Sequence, residues 1–199
     1  MLGLLTAVDQ DATLTQRGVA ARLGIALGMA NAYLKRCIRK GLVKVSQIPR
    51  RRYAYYLTPQ GLSEKTRLTA EYFSNSLRFF RMARVEYAEL LNTLSRRQAK
   101  RVAFCGVSEL SEIASLCAGE AGVEVAGILD LAETSIKSQV GHLVVSDVRA
   151  LGVFDAILIT DFIDGPASLE KLQAVLPAEC ILAPKMLGLS TRAAGAVME

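Results

Sequence analysis

The sequence predicts an α/β protein made of two parts that a long helix joins. The first part combines short amphipathic helices with two β-like segments, which indicates a small α+β unit. The second part alternates short apolar strands with helices, a pattern typical of a parallel sheet. No proline occurs between Pro59 and Pro166, so one helix can extend from Pro59 to about Ser95. A chain of 199 residues is long enough for two small domains.

Charge is distributed unevenly along the chain. Residues 1–101 contain 19 Lys and Arg against 6 Asp and Glu, a net charge of +13. Residues 102–199 contain 5 against 13, a net charge of −8. A basic half beside an acidic half indicates an anionic partner, and DNA is the leading candidate because phosphate neutralisation supplies most non-specific affinity. Attraction between the two halves is the alternative, but it does not explain where the basic residues lie.

Several classes of protein are disfavoured by composition. No apolar run reaches the roughly 18 residues of a membrane span, and no basic segment precedes the short apolar N-terminus as in a signal peptide. The four cysteines are widely spaced and His142 is the one histidine, so we expect neither a metal site nor a catalytic Ser-His-Asp or Cys-His set. We therefore expect a cytoplasmic protein that is not an enzyme, with no catalytic residues.

A helix–turn–helix pattern occupies the basic half. Thr15 offers an N-cap hydroxyl to a short helix over 16–23. Gly24 can adopt the left-handed conformation that ends this helix in a sharp turn. A second helix is predicted over 27–40, and Gly41 ends it. In a helix-turn-helix domain the second helix enters the major groove of DNA, and its early residues contact base edges.

The outward face of the second helix is the predicted DNA-contacting surface. Asn31 can pair bidentately with adenine, and Lys35 or Arg36 can reach guanine or phosphate. Gly28 allows close approach of the backbone to DNA, the alternative being a frayed helix start without function. The predicted contacts are Gly28, Met29, Asn31, Ala32, Lys35, Arg36 and Arg39.

A β-hairpin follows this helix. Residues 42–48 and 53–57 are β-like, and Pro49 and a run of arginines lie between them. A basic hairpin after a helix-turn-helix is typical of a wing that contacts phosphates or a narrow minor groove, although a charged run is often only a solvated loop. Residues 1–58 are therefore predicted to form a winged helix-turn-helix domain that also binds DNA through Arg50, Arg51 and Arg52.

Two segments carry a family resemblance. The stretch "LTQRGVAARLGIALGMANAYLKRCIRKGLVK" and the stretch "YAYYLTPQGLSEKTRLTAEYF" resemble the MarR-like winged-helix regulators, in particular the subgroup associated with exopolysaccharide gene clusters. The most specific parts are "GLVK" before the wing and "YLTPQGLSEK" after it, and the resemblance covers roughly the first 95 residues. It implies a dimeric DNA-binding protein that uses the same recognition helix and wing, and it points to control of polysaccharide genes.

Residues 59–100 are predicted to form a connecting helix and a short linker. Thr58 and Pro59 make a good helix start, whereas residues 74–76 leave the continuity of the helix open. Spacings of three and four predict an apolar seam, which we interpret as a dimerisation surface, the alternative being packing against the chain's own domains. The seam comprises Phe73, Leu77, Phe80, Ala83, Tyr87, Leu90 and Leu94.

Residues 101–199 are predicted to form a small Rossmann-like domain. The expected strands are 101–105, 123–129, 143–145, 156–160 and 180–183, and the expected helices are 110–121, 147–151 and 166–175. The segment resembles the N-terminal Rossmann domains of sugar-modifying acyltransferases and of CoA-binding proteins. This likeness suggests a small-ligand sensor.

The first turn of this domain departs from the dinucleotide-binding fingerprint. It has one glycine where that fingerprint has three, and glutamates stand where a pyrophosphate would lie. In favour of a ligand, Asp130 ends the second strand near the ribose-binding position. The hypothesis is a nucleotide or sugar-nucleotide effector at the carboxyl ends of the strands, with a protein-binding domain as an equal alternative. The ligand would contact Gly106, Ser108, Glu109, Asp130 and Asp161.

Together these features predict a homodimeric, sequence-specific transcriptional regulator whose second domain senses an effector. Two alternatives stay open: an enzyme related to nucleotide-sugar metabolism with a DNA-binding appendage, and an adaptor whose acidic half docks another protein.

Overall fold

A computed structural model describes residues 1–48, 52–132 and 134–190. The chain divides into two compact units, residues 1–77 and residues 78 onward, and each has its own core. The predicted fold class is confirmed: a helix-turn-helix with a strand wing, a long helix and a largely parallel C-terminal sheet. None of the helices in the described ranges is both long and apolar enough to cross a membrane.

The first unit contains three short helices, a hairpin and the beginning of a long helix. Its elements are α1 (Leu2–Gln10), α2 (Gln16–Leu23), α3 (Leu27–Arg39), β1 (Val43–Ile48), β2 (Arg52–Leu57) and α4 (Pro59–Arg96). Its core gathers apolar side chains from each of the first five elements, among them Leu5, Val19, Leu34, Val43 and Tyr55.

The turn between α2 and α3 forms as its residues predict. The Thr15 hydroxyl accepts a hydrogen bond from the Gly18 amide at 3.1 Å, which caps α2. Gly24 ends α2 with a φ of 63°, the left-handed conformation that glycine adopts without strain. The Ile25 amide then donates to the Ala20 carbonyl and closes the turn.

The hairpin is antiparallel, with Val43 opposite Leu57 and Ile48 opposite Arg52. The Tyr55 amide donates to the Ala12 carbonyl at 2.8 Å, so the loop after α1 holds the outer edge of β2. The tip of the hairpin, residues 49–51, lies outside the described residues.

The first turn of α4 lies directly against the turn between α3 and β1. The Thr58 hydroxyl accepts from the Gly61 amide at 3.0 Å and donates to the Gly41 carbonyl at 2.6 Å. A β-carbon at Gly61 would lie 1.9 Å from the Leu42 carbonyl oxygen. Only glycine therefore permits this approach of α4 to the helix-turn-helix.

The second unit is a six-stranded sheet with helices on both faces. Its elements are β3 (Arg101–Cys105), α5 (Glu109–Ala121), β4 (Glu124–Leu129), β5 (Ser138–Gln139), β6 (His142–Val145), β7 (Ala156–Ile159), α6 (Gly165–Gln173) and β8 (Ile181–Leu182). The strand order is β5-β6-β4-β3-β7-β8, and every pair is parallel except β5 with β6. Without β5, the order is that of a doubly wound sheet.

The predicted elements of this sheet are confirmed with local differences. Residues 147–151, predicted helical, form a 3-10 helix over Val148–Leu151, because Asp147 caps a single tight turn that Gly152 ends. The strand predicted over 180–183 shortens to Ile181–Leu182, since a 3-10 helix over Ala178–Cys180 precedes it. The short strand β5 was not predicted, because two polar residues carry no periodic signal.

The second half of α4 belongs to the core of this unit. Ala83, Tyr87, Leu91 and Leu94 are buried together with α5 against one face of the sheet. The Tyr87 hydroxyl donates to the Ile159 carbonyl at 2.7 Å, and burial raises the pKa of this tyrosine. The other face is covered by α6 and by the 3-10 helix over Val148–Leu151.

Candidate nucleic-acid interface

The helix α3 presents one buried and one exposed face. Ala30, Leu34 and Cys37 are buried in the core of the first unit and fix the rotation of the helix about its axis. The opposite face is exposed, and it carries six of the predicted contact residues: Gly28, Met29, Ala32, Lys35, Arg36 and Arg39. The structure therefore brings these residues together on one surface.

Asn31 differs from the other predicted contacts. It is half-buried at the edge of the exposed face, and its Oδ1 atom is buried without a hydrogen-bond partner. Leaving such an atom unpaired costs about 1–3 kcal/mol, and exceptions of this kind call for a reason such as a functional site. Pairing of Asn31 with adenine stays a prediction.

Gly28 packs against no other described part of the chain. A β-carbon there would meet no atom within 4 Å. The helix also starts without a side-chain cap, since Ala26 occupies the N-cap position. The first turn of α3 is therefore open to a ligand that approaches closely, and the positive end of the helix dipole favours an anion there.

The basic residues of α3 differ from those at the start of α4 in whether they form ion pairs. In the described part of the chain, Lys35, Arg36 and Arg39 form no ion pair. By contrast, Lys65 pairs with Asp9 at 2.6 Å, and Arg67 pairs with two glutamates of its own helix. The positive charge of α3 is thus left available for a partner.

Sequence reasoning missed two exposed side chains near this surface. Tyr33 lies on α3 and is 40% exposed. The signal in the sequence was its spacing of four residues from Met29, which places the two side chains on neighbouring turns of the helix. Arg17 is exposed in the first turn of α2 and forms no ion pair within the described ranges. In helix-turn-helix complexes the first helix crosses the DNA backbone, so a basic residue in the first turn of α2 could have been predicted to contact phosphate.

Of the three arginines at the tip of the wing, only Arg52 belongs to the described residues. Arg50 and Arg51 lie outside the described residues, and only the backbone of Arg52 is described, at the start of β2 opposite Ile48. The exposed side chains of Lys44 and Tyr53 lie on the strands that lead to this tip. DNA contact by the three arginines stays a prediction.

Comparison with known families agrees with this geometry. The family model described as "Winged helix-turn-helix DNA-binding" matches residues 2–44. Residues 2–44 thus resemble a DNA-binding winged helix-turn-helix domain. The match spans α1, α2, α3 and the beginning of the wing, and it supports a DNA-binding regulator. No curated protein matches the chain.

The predicted ligand residues of the second unit meet at the carboxyl ends of β3, β4 and β7. The Ser108 hydroxyl accepts from the Leu110 amide at 3.0 Å and donates to the Thr160 carbonyl, while Ser111 completes a capping box for α5. The serines that replace the fingerprint glycines therefore cap a helix. Glu109 is exposed in the first turn of α5.

Both aspartates at this edge are engaged by their own loops. Asp130 is buried and accepts from the Ala132 amide and from the amide and hydroxyl of Thr134. Asp161 accepts from the Ile163 and Asp164 amides and from the Ser168 hydroxyl.

Gly106 makes the close approach between β3 and Asp161 possible. It has a φ of 114°, and a β-carbon there would lie 2.7 Å from the Asp161 amide nitrogen. The structure brings the predicted residues together, but the carboxylates of Asp130 and Asp161 already accept hydrogen bonds from neighbouring loop residues. A nucleotide ligand at this edge stays a prediction.

The predicted seam of α4 divides into two parts. Ala83, Tyr87 and Leu94 are buried in the second unit, as the packing alternative expects. Phe73 and Leu77 are 60% and 53% exposed, and every residue from 70 to 78 is exposed. One stretch of the helix therefore leaves its aromatic and aliphatic side chains uncovered within the described chain.

Proposed function

We propose that this protein is a sequence-specific transcriptional regulator that binds DNA as a homodimer and reads the major groove with α3. The observation that carries the proposal is the exposed face of α3, the second helix of a helix-turn-helix. Three cations lie there that form no ion pair with any residue in the described part of the chain. Arg36 and Lys35 supply base-edge or phosphate contacts, and Arg39 supplies a phosphate contact. The arginines at 50–52 contact the minor groove or the phosphates beside it.

The homodimer rests on residues 70–78 of α4. A single helical stretch that exposes Tyr72, Phe73 and Leu77 keeps a sizeable apolar area in water unless a partner covers it. Two-fold symmetric binding to paired half-sites requires a second copy of the chain. A second α4 is therefore the partner that we assign to this stretch, with Phe80 continuing the same face.

Control of polysaccharide genes is supported by the resemblance of the first 95 residues to the exopolysaccharide-associated subgroup of MarR-like regulators. A nucleotide or sugar-nucleotide effector at the carboxyl edge is supported by the doubly wound strand order and by the position of Asp130 after β4. To bind Asp130, such a ligand must displace the amide and the hydroxyl of Thr134, which donate hydrogen bonds to the Asp130 carboxylate.

A second candidate function is docking of another protein by the acidic unit. Ile163 is 86% exposed in the loop after β7, beside Phe162, whose ring contacts Phe79 edge-on at a centroid distance of 5.5 Å. Exposed apolar side chains at a loop favour a protein contact. This function gains weight if the purified protein shows no preference among DNA sequences.

The test is a titration of the full-length protein with a duplex from its own promoter and with a shuffled duplex, each at two salt concentrations. We expect the preference for the promoter to survive the higher salt, since base contacts depend less on counterion release than phosphate contacts do. Arg36→Ala should weaken the preference, whereas Arg149→Ala, an exposed arginine of the second unit, should not. Equal affinity for both duplexes would contradict the proposal.

A further inference from the structure

A cavity of about 460 Å³ lies inside the second unit, between the end of α4 and the segment that follows β8. This volume is within the range of roughly 300–1,000 Å³ that small-molecule sites occupy. It is distinct from the carboxyl edge of the sheet, because none of the five residues predicted to bind a ligand there lines it.

The walls of the cavity are largely apolar. Leu90 and Leu94 contribute from α4, and Leu182, Pro184 and Leu189 contribute from the opposite wall. Leu94, Leu182 and Pro184 are buried and belong to the core, whereas Glu89, Thr93 and Lys185 are exposed, so the cavity opens to solvent on one side. An aliphatic or aromatic group of a ligand would be removed from water there.

Charged groups of both signs line the same cavity. Glu86 and Glu89, one turn apart on α4, and Lys185, in the segment after β8, are among the residues that line it. Oε2 of Glu86 accepts from the Met186 amide at 2.8 Å, which ties the two walls together. In the described ranges, Glu89 and Lys185 form no ion pair.

We propose that this cavity binds a small zwitterion with an apolar body, of the class of the large hydrophobic amino acids. Glu86 and Glu89 receive the ligand's ammonium group, Lys185 receives its carboxylate, and the leucines enclose its side chain. A plain organic cation would leave Lys185 without a counter-charge, and a plain anion would leave the two glutamates without one. Only a ligand that carries both charges satisfies both walls.

If the proposed function holds, this site places an effector on the helix that also extends into the winged helix-turn-helix unit, because α4 is continuous from Pro59 to Arg96. The ligand site itself does not depend on DNA binding. Its test therefore uses no DNA, so that failure of the ligand proposal and failure of the DNA proposal are separate results.

The experiment measures thermal stability and heat of binding of the full-length protein with L-phenylalanine and L-leucine at millimolar concentrations. The matched controls are 2-phenylethylamine, which lacks the carboxylate, and 3-phenylpropanoate, which lacks the amine. We expect at least one amino acid to bind, and each control to bind about tenfold more weakly or worse, since each loses a charge-assisted hydrogen bond. Binding of neither amino acid, or equal binding of a control, would overturn the proposal.

Paired variants locate the site. Thr93→Phe places a ring at the exposed cavity wall and should abolish binding, whereas Asn92→Phe, on the adjacent exposed position outside the cavity, should not. Glu89→Gln should weaken binding about tenfold, and Glu179→Gln, an exposed glutamate elsewhere in the unit, should leave it unchanged. Circular dichroism of each variant checks that it folds. A folded Thr93→Phe protein that still binds at full affinity would place the ligand elsewhere and refute the site.

Discussion

Among individual residues, the available charge on α3 distinguishes a binding surface from an ordinary solvated face. Arg67 on α4 is exposed to solvent, like Arg36 and Arg39 on α3. The hydrogen bonds and charge of Glu64, together with Glu71, raise the pKa of the Arg67 guanidinium and hold it in place. Arg36 and Arg39 have no acidic neighbour of this kind in the described chain. The sequence showed where the cations lie, but only the packed structure shows which are neutralised.

Arg39→Ala should weaken DNA binding by a similar factor for all sequences, because we assign Arg39 to phosphate. Loss of one phosphate contact lowers the slope of log K against log salt by about 0.9. The measurement is a salt titration of affinity by fluorescence anisotropy. Arg67→Ala is the matched control and should leave the slope unchanged. An unchanged slope for Arg39→Ala would remove this residue from the interface.

Gly61→Ala should destabilise the first unit by about 1–3 kcal/mol, the usual range for overpacking. The new β-carbon would lie 1.9 Å from the Leu42 carbonyl oxygen, so α4 must move away from the helix-turn-helix. Gly119→Ala, also in a helix, meets no atom within 4 Å and should stabilise by about 0.5–1 kcal/mol. Thermal unfolding compares the two variants, and a Gly61→Ala protein that is as stable as the unmodified chain would contradict the role given to Gly61.

At the scale of the elements, local chemistry predicted the first unit well. A capping hydroxyl at Thr15 and a left-handed Gly24 specify the turn through interactions within ten residues, and both occur as expected. The seam of α4 was harder to interpret, because a three-and-four spacing marks an apolar face without saying what covers it. Tyr87 is buried by the chain's own sheet, whereas Phe73 is 60% exposed. That difference depends on contacts distant in sequence.

Leu77→Glu should shift the protein from dimer to monomer, because a charge would be buried without a partner in the interface that we assign to residues 70–78. We expect the dimer dissociation constant to rise at least about tenfold. Asn75→Glu, on the opposite face of the same turn, is the control and should remain dimeric. Sedimentation velocity measures both. If Leu77→Glu sediments like the unmodified chain, the assigned interface is wrong.

At the scale of the whole molecule, each unit has a separate apolar core and the opposite balance of charge. The first unit packs α1, α2, α3 and the hairpin around Leu34, whereas the second packs helices on both faces of its sheet around Phe104 and Ile157. The strand–helix alternation was sufficient to predict this second architecture. The hydrogen bonds that commit Asp130 and Asp161 were beyond sequence reasoning, since their partners are set by the final loop conformations.

Separate cores should give two thermal transitions in calorimetry. Gly61→Ala should lower the transition of the first unit alone. Tyr87→Phe should lower the transition temperature of the second unit alone. It should reduce the free energy of unfolding of that unit by about 1–3 kcal/mol, because it leaves the buried Ile159 carbonyl without its hydrogen-bond donor. A single transition that both variants shift equally would show that the chain unfolds as one cooperative body.

The central claim is that a pair of these chains reads DNA sequence through α3. Selection of bound duplexes from a random library by the full-length protein tests it most directly. We expect enrichment of a two-fold symmetric motif whose half-sites lie about 10 base pairs apart, or a multiple of that, with altered base preference in Arg36→Ala. Recovery of duplexes with no shared motif, by a protein that still binds DNA at low salt, would contradict the claim.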